Sequence, residues 1–429
     1  MRVLVTGATG FIGRAVAQAL AERGHTVVRV MRRPRPHDSD IVQADFARVP
    51  GRDWWLRRLH GVEAVVNAVG ILREQRGQTF AALHTDAPSE LFHACAAAGV
   101  HCVVQVSALG ADASAQSAYH RSKKAADDVL RALPLRGAIV QPSLVYGPGG
   151  TSAALFNKLA VAPVLPFPDG GRMQVQPVHI DDLVAGIVRL VEAPPPAMAT
   201  LAFAGPQPLE LRTYLAQLRA ALGQGGRQWI VPLPAGLFRI GAAFAGHLPG
   251  SMLDRETADM LLAGNVTPRN GLAPLLGHSP RAPGAFVAAG AQETERRSAV
   301  IDLWHPVLRV ALAFLWLWTA LVSFGLYPVQ DSYALLARVG LHGTLATIAL
   351  YGAALLDLVL GLLTLASPAA WRSWVWGSQL ALILGYTLLI TAFLPEYWLH
   401  PYGPISKNVP VLALIGLLWA LEPARRRSD

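Results

Sequence analysis

The chain opens on a short apolar run, Arg2-Val3-Leu4-Val5, that passes directly into Thr6-Gly7-Ala8-Thr9-Gly10-Phe11-Ile12-Gly13. A strand that ends in closely spaced glycines and turns into a helix aims backbone N–H groups, and the positive end of the helix dipole, at an incoming phosphate. Three glycines at fixed spacing arise by chance at about one position in 1,300 for this composition, so the glycines alone are weak. Context strengthens them: Ala15 to Glu22 reads as a helix and a second strand starts at Thr26, as a βαβ dinucleotide fingerprint requires. Thr9, Phe11 and Ile12 belong to the same loop and first helical turn, and the whole is read as a cofactor-binding loop.

The second strand, Thr26 to Met31, ends in Arg32-Arg33. NAD sites place an Asp or Glu there for the ribose 2′-OH, whereas a guanidinium suits a 2′-phosphate. NADP(H) is therefore favoured, with NAD(H) as the alternative; two surface arginines at a strand end are the plain structural reading. Asp45 follows a third strand, where a short acceptor can bond an adenine amino group. Val62 to Val69 predicts a fourth strand ending in Asn67-Ala68-Val69-Gly70, small residues that let a ligand approach the backbone. Phe80 to Ala98 predicts a long helix, and Val103 to Val106 a fifth strand with Ser107 at its carboxyl end, where open α/β sheets bind ligands.

Tyr119-His120-Arg121-Ser122-Lys123 then opens a helix to Ala132. Tyr and Lys four apart share a helix face, so the ammonium can sit beside the phenol. A free phenol has a pKa of about 10, and lowering it by about three units takes roughly 4 kcal/mol, which one cation at about 4 Å supplies at an effective dielectric near 20. Tyr119 is accordingly a candidate proton donor, Lys123 its partner, and Ser107 a hydrogen-bonding group for the substrate oxygen. The structural alternative is a core tyrosine beside two solvated lysines. Leu135 to Val140 predicts a sixth strand, and Gln141 to Gly149, including Pro142 and Val145, a turn-rich loop closing over the cofactor. Val178 to Leu183 predicts a strand entering a helix capped by Asp181 or Asp182. Residues 200–290 mix Pro, Gly and short helices and suit a small substrate-covering region. The fold class that follows is α/β, a doubly wound parallel sheet, with an all-α membrane bundle behind it.

That bundle rests on composition: 52% hydrophobic and 15% charged residues are too apolar for an ordinary soluble protein of 429 residues. Long apolar runs begin at Leu303. Four spans are predicted, at about 303–326, 340–366, 374–394 and 405–421, the last short and broken by Pro410. The domain division is 1–290, a linker at 291–302, and 303–424. Arg296, Arg297, Arg372 and Arg425 to Arg427 fall on one side of a four-span topology, Arg338 and Lys407 on the other. The positive-inside rule then places both ends in the cytoplasm, on an inner membrane. The N-terminus enters its strand with no basic region or cleavage site, so no secretory signal is expected. The net charge of +9 is spread through the chain, which argues against nucleic acid as a partner. Cys95 and Cys102 have neither metal-ligand nor redox spacing and read as buried thiols; no metal site is expected. Asp357, inside the second span, reads as a carboxylate buried in the bundle, with His342 interfacial.

Taken together, Thr6-Gly7-x-x-Gly10-x-x-Gly13, Asn67-Ala68-x-Gly70, Ser107, Tyr119-x-x-x-Lys123, Pro142-Ser143-x-x-Tyr146-Gly147-Pro148 and Val178-His179-x-Asp181-Asp182 resemble the atypical or extended short-chain dehydrogenase/reductase superfamily. The nearest flavour is the NAD(P)-binding epimerase-like group that includes the 39-kDa accessory subunit of respiratory complex I. The resemblance covers about residues 1–290. It implies a Rossmann sheet, a bound nicotinamide dinucleotide, and roles for Ser107, Tyr119 and Lys123 as substrate binder, acid–base and cofactor-ribose anchor. The twelve-residue gap from Ser107 to Tyr119 departs from nucleotide-sugar epimerases. The apolar part is similar to the DoxX-like family, through Lys407-Asn408-Val409-Pro410 and the closing Leu-Leu-Trp-Ala-Leu-Glu. The expectation is a membrane-anchored NAD(P)-dependent oxidoreductase or epimerase acting on a carbonyl or hydroxyl group, its small-molecule substrate a lipid or quinone. The rival expectation is a non-catalytic NADPH-binding subunit with a membrane redox partner.

Overall fold

A computed structural model of the chain describes residues 1–34, 40–246 and 253–422. The chain divides into two compact units, Met1–Ala299 and Val300–Asp429.

The first unit is built on seven strands: β1 Arg2–Thr6, β2 Thr26–Met31, β3 Ile41–Gln43, β4 Ala64–Asn67, β5 Cys102–Val106, β6 Gly137–Pro142 and β7 Ala199–Phe203. They pair in the order β7-β6-β5-β4-β1-β2-β3, every pairing parallel. Order reverses between β1 and β4, which opens a crevice at the carboxyl ends of those strands. The strands read as near-continuous apolar runs because both faces are covered. Along β1, Val3 and Val5 join the core on one side, where helix Ile180–Glu192 packs, and Leu4 joins the core on the other side with Trp55 and Phe92.

Helix α1, Phe11–Glu22, starts earlier than the apolar pattern suggested, because Gly10 supplies an extended N-cap directly after the glycine turn. The stretch predicted as one helix over 80–98 is a π-helical turn, Ala81–Asp86, continuing as α2, Ala87–Ala98; Pro88 falls in the first turn of α2, where its missing N–H is least costly. Helix α3, Ala118–Ala132, carries Tyr119 and Lys123 and is capped by Ser117, whose hydroxyl accepts from the His120 N–H. The cap of helix Ile180–Glu192 corrects the sequence reading. His179 is the N-cap and its ring accepts from Asp181 N, while Asp181 and Asp182 sit in the first turn, where carboxylates complement the dipole. Both bind Arg281: Oδ2 of Asp181 accepts from its guanidinium at 2.7 Å, and Oδ2 of Asp182 from its backbone N–H at 2.7 Å.

The second unit is helical. Three helices among the described residues are long and apolar enough to cross a membrane: Gln292–Leu326 with its π-helical end, Gly343–Ala366 and Arg372–Phe393. The first begins at Gln292, so the segment read as a linker over 291–302 is mostly helical. The fourth apolar helix, Asn408–Ala420, has 13 residues and therefore a length of about 20 Å, short of the roughly 30 Å hydrocarbon core. Arg425 to Arg427 lie outside the described residues. Polar side chains stitch the bundle: Trp316 Nε1 donates to Gln379 Oε1 at 2.9 Å, and Gln379 Nε2 donates to Thr364 Oγ1 at 2.9 Å. Asp357 is buried, and its Oδ1 has no hydrogen-bond partner.

Candidate cofactor and active site

The glycine turn is held by backbone. Gly10 N–H donates to Gly7 O at 2.8 Å, and Gly7 takes φ +65°. A Cβ on Gly7 would stand 2.6 Å from Ala68 O, and one on Gly13 would stand 2.2 Å from Gly7 O. So Gly7 lets the loop lie against the end of β4, and Gly13 lets α1 close onto the loop. Thr9 and Gly10 are exposed at the turn, with Phe11 and Ile12 half-buried in the first helical turn. A tight glycine turn at a helix start is the geometry a pyrophosphate can approach.

Beside it lies a cavity of about 900 Å³ lined by Thr9, Arg32, Arg33, Asp45, Arg48 and Trp54 among others. Arg32 and Arg33 are exposed at its wall. Asp45 also caps the turn Phe46–Arg48, its carboxylate accepting from Ala47 N at 3.1 Å. Arg58 lies over the Trp54 ring, 3.5 Å from its centroid, which fixes that indole as one wall. Neither Arg48 nor Trp54 was singled out in the sequence, where nothing in their spacing distinguishes them.

At the carboxyl ends of the strands the polar side chains form a buried row. Thr6 Oγ1 donates to Asn67 Oδ1 at 2.5 Å, and Asn67 Nδ2 donates to Gln105 Oε1 at 2.6 Å. Asn67 thus points into the sheet, and Ala68, Val69 and Gly70 form the exposed edge. Gln105 Nε2 is left without a partner.

Ser107, Tyr119 and Lys123 gather around a residue the sequence reading missed. Ser107 is buried and its hydroxyl donates to Asp127 Oδ2 at 2.5 Å. The second oxygen of Asp127 is buried and unpartnered. Burial pushes the Asp127 carboxyl up to about 6, against the pull of the Ser107 hydrogen bond and the Lys123 ammonium. Lys123, buried in turn, donates to Val69 O and Val106 O, each at 3.1 Å, and burial pushes it down to about 8. Its ammonium is spent on the carbonyls that end β4 and β5. Tyr119 meanwhile stands among aromatic rings: Phe80, His84 and His120 lie 6.0, 5.5 and 5.2 Å from its centroid. That enclosure, with Asp127 adding, holds the phenol at about 12, above rather than below its usual value. The signal for Asp127 was its helical register, one turn beyond Lys123 on the same face.

His84 completes the cluster. Its Nε2 accepts from Ile71 N at 2.9 Å and its Nδ1 faces Ser122 Oγ at 2.9 Å, while Ser122 Oγ donates to Tyr119 O at 2.8 Å. The pattern assigns a neutral ring with the proton on Nδ1. Desolvation first, then Lys123, drives its pKa down to about 2, so it stays neutral at any working pH. Pro142 and Val145 lie at the carboxyl end of β6: Pro142 O accepts from Leu109 N at 3.0 Å, and Val145 pairs with Val178 in a two-stranded parallel ribbon.

Comparison with known proteins agrees with this architecture. The NAD dependent epimerase/dehydratase family model matches residues 3–199, and the DoxX-like family model matches residues 313–416. The ceramide reductase of Caulobacter vibrioides is 31% identical over 199 residues, 45% of this chain and 61% of that protein. Subunit 9 of the NADH dehydrogenase (ubiquinone) 1 alpha subcomplex of Mus musculus, a mitochondrial protein, is 26% identical over 249 residues, 54% of this chain and 63% of that one. The chain therefore spans less than two thirds of the length of these two relatives. Among solved structures, the NADPH-dependent quinone oxidoreductase QOR2 of Escherichia coli, complexed with NADPH, superposes with a TM-score of 0.54 at 19% identity, covering 67% of this chain and 98% of that one.

Proposed function

The chain belongs to the NAD dependent epimerase/dehydratase family, of short-chain dehydrogenase/reductase type, with a DoxX-like unit behind it, and from that premise we propose that it is a membrane-anchored NADP(H)-dependent oxidoreductase acting on a carbonyl or hydroxyl group of a lipophilic substrate. The observation that supports the reading is that the glycine turn, the arginine-walled cavity and Ser107 all follow the carboxyl ends of strands of one parallel sheet, with Tyr119 and Lys123 on the first turns of α3.

The residues present fit a nicotinamide dinucleotide. Gly7, Gly10 and Gly13 would hold the pyrophosphate, Arg32 and Arg33 the 2′-phosphate, Trp54 and Asp45 the adenine, and Lys123 the ribose beside the reacting carbon. When bound, that cofactor supplies or accepts hydride. The chain's own residues handle the proton. Ser107 orients the substrate oxygen and Tyr119 gives or takes its proton, a contribution of about 10²–10⁴ in rate. Both need a change of partners: Ser107 must turn from Asp127 to the substrate, and Lys123 must come to bear on the phenol to lower it from about 12. A substrate and cofactor that exclude water and supply new acceptors favour that exchange.

Two observations favour a second reading, a non-catalytic NADPH-binding subunit of a membrane redox assembly: the groups of the chemistry end are committed to internal partners, and the mouse relative is a complex I subunit. Replacing Tyr119 by Phe decides between them when turnover and NADPH binding are measured separately. Lost turnover with binding intact supports the enzyme; unchanged cellular function supports the binding subunit. For topology, the flanking arginines support a cytoplasmic first unit. A reporter fused to the C-terminus tests the number of spans, since both ends share a side only if Asn408–Ala420 crosses.

A further inference from the structure

The first unit carries an apolar surface that its own core leaves uncovered. Helix Ala235–Ala245 reads Ala-Gly-Leu-Phe-Arg-Ile-Gly-Ala-Ala-Phe-Ala, with Arg239 its only charge. Phe238 and Ala242 face inward, and Phe238 meets Phe167 with ring centroids 6.1 Å apart. Leu237, Ile240 and Phe244 share the other side, at positions i, i+3 and i+7, and are 55%, 54% and 74% exposed. The strand that leads into the helix, Trp229–Leu233, pairs with Val164–Pro168 and turns the same kind of row outward: Trp229, Val231 and Val164 are all about half exposed. Soluble surfaces rarely leave this much aliphatic and aromatic side chain uncovered on one element.

The flanks identify the occupant. Arg227 lies against the Trp229 ring, 4.8 Å from its centroid, and Arg239 projects from the side of the helix opposite Phe244 to reach Asp259 at 2.6 Å. A tryptophan beside a guanidinium, an apolar helix face and cations off that face are the pattern of a segment lying at the headgroup–acyl boundary. The chain's charge of +9 favours an anionic surface, and helices long and apolar enough to span a bilayer keep the unit tethered near one. The helix also adjoins the candidate site. Its terminal Gly246 O accepts from Arg73, in the segment that follows Gly70, at 2.6 Å; Glu256, from the helix packed beside it, accepts from Tyr119 N at 3.1 Å.

We propose that helix Ala235–Ala245 is an interfacial membrane helix, its Leu237, Ile240 and Phe244 face set into the bilayer surface, through which a substrate bearing an acyl chain enters sideways to Tyr119. The entry half rests on the reductase reading; the insertion half does not. Cys95 and Cys102 are fully buried, so Ile240→Cys, Phe244→Cys and Arg239→Cys can each carry a single fluorescent label on the full chain in nanodiscs. Labels at 240 and 244 are expected to be quenched by lipids bearing nitroxide high on the acyl chain and shielded from iodide, and the label at 239 the reverse. Iodide access at 240 and 244 overturns insertion, and so does shielding from both quenchers, which marks a protein cover such as a second copy. The triple variant Leu237→Asp/Ile240→Asp/Phe244→Asp is then expected to slow reduction of a long-chain ketone held in the nanodisc about tenfold, with a short water-soluble ketone unaffected. Equal loss on both overturns the entry route. A wild-type chain that reduces neither ketone defeats the reductase reading and leaves the quenching result standing.

Discussion

At the glycine-loop end of the site, Gly7, Gly10 and Gly13 pack backbone closely against backbone, and Arg32 and Arg33 stand in solvent around a cavity of about 900 Å³. At the other end, Ser107 is bonded to Asp127, Lys123 to two carbonyls, and His84 to Ile71 and Ser122. On the proposed reading, the first end meets its ligand with guanidiniums already exposed to solvent. The second must trade internal hydrogen bonds for external ones, and each trade costs a net of about 1 kcal/mol unless the ligand replaces the bond made. On the proposed reading, the two ends differ in how much must rearrange before ligands bind.

The hardest blow to the open end is Gly13→Val. Its Cβ would lie 2.2 Å from Gly7 O, a backbone atom that cannot step aside, so NADPH affinity should fall more than about 100-fold; calorimetry that finds wild-type affinity breaks the cradle assignment. At the committed end, Lys123→Met removes the donor to Val69 O and Val106 O. A buried and a half-buried carbonyl each lose a donor, at about 1–3 kcal/mol for the pair, so thermal unfolding should drop by a few degrees along with loss of turnover. Turnover lost at unchanged stability would make Lys123 a purely catalytic group and dissolve the contrast.

A smaller effect is expected from Arg32→Ala/Arg33→Ala. Two exposed guanidiniums are expected to contribute about tenfold to 100-fold to NADPH affinity and nothing to NADH, so the ratio of the two constants should collapse toward one. A ratio that does not move refutes the 2′-phosphate role. The last concerns stability against pH and Asp127, whose carboxyl is raised in the folded chain from 3.8 to about 6. A raised acid binds its proton more tightly folded than unfolded, so stability is highest below about pH 4 and declines as pH climbs to about 6, by about 3 kcal/mol at most. Asp127→Asn should flatten that slope in unfolding measured from pH 4 to 7; an unchanged slope places the titration elsewhere.

Much of this was legible beforehand because it depends on local rules. Apolar runs at strand length, closely spaced glycines after β1 and the four-residue interval between Tyr119 and Lys123 each encode backbone or helical geometry that needs no distant partner. Membrane-grade helices announce themselves by length and apolar content in the same way, and the shortness of Asn408–Ala420 was visible too. The cap of helix Ile180–Glu192 was misread because Asp is the commoner cap, while here the backbone leaves the strand at His179. His84 and Asp127 escaped notice since neither sits in a motif.

By itself, then, the sequence determined the parallel αβ architecture, the glycine turn after β1, the positions of Ser107, Tyr119 and Lys123 and the presence of an apolar helical unit. Only the tertiary structure decided what those side chains do with their hydrogen bonds. Lys123 was expected beside a phenol; folding brings it within reach of Val69 O, just past β4, Val106 O at the end of β5, and Asp127, while Tyr119 is walled by Phe80 and His84 from the π-helical segment. Spacing along a helix says which groups can meet. Which of them win is settled by burial, since a charge drawn out of water binds the nearest compensating dipole that packing provides.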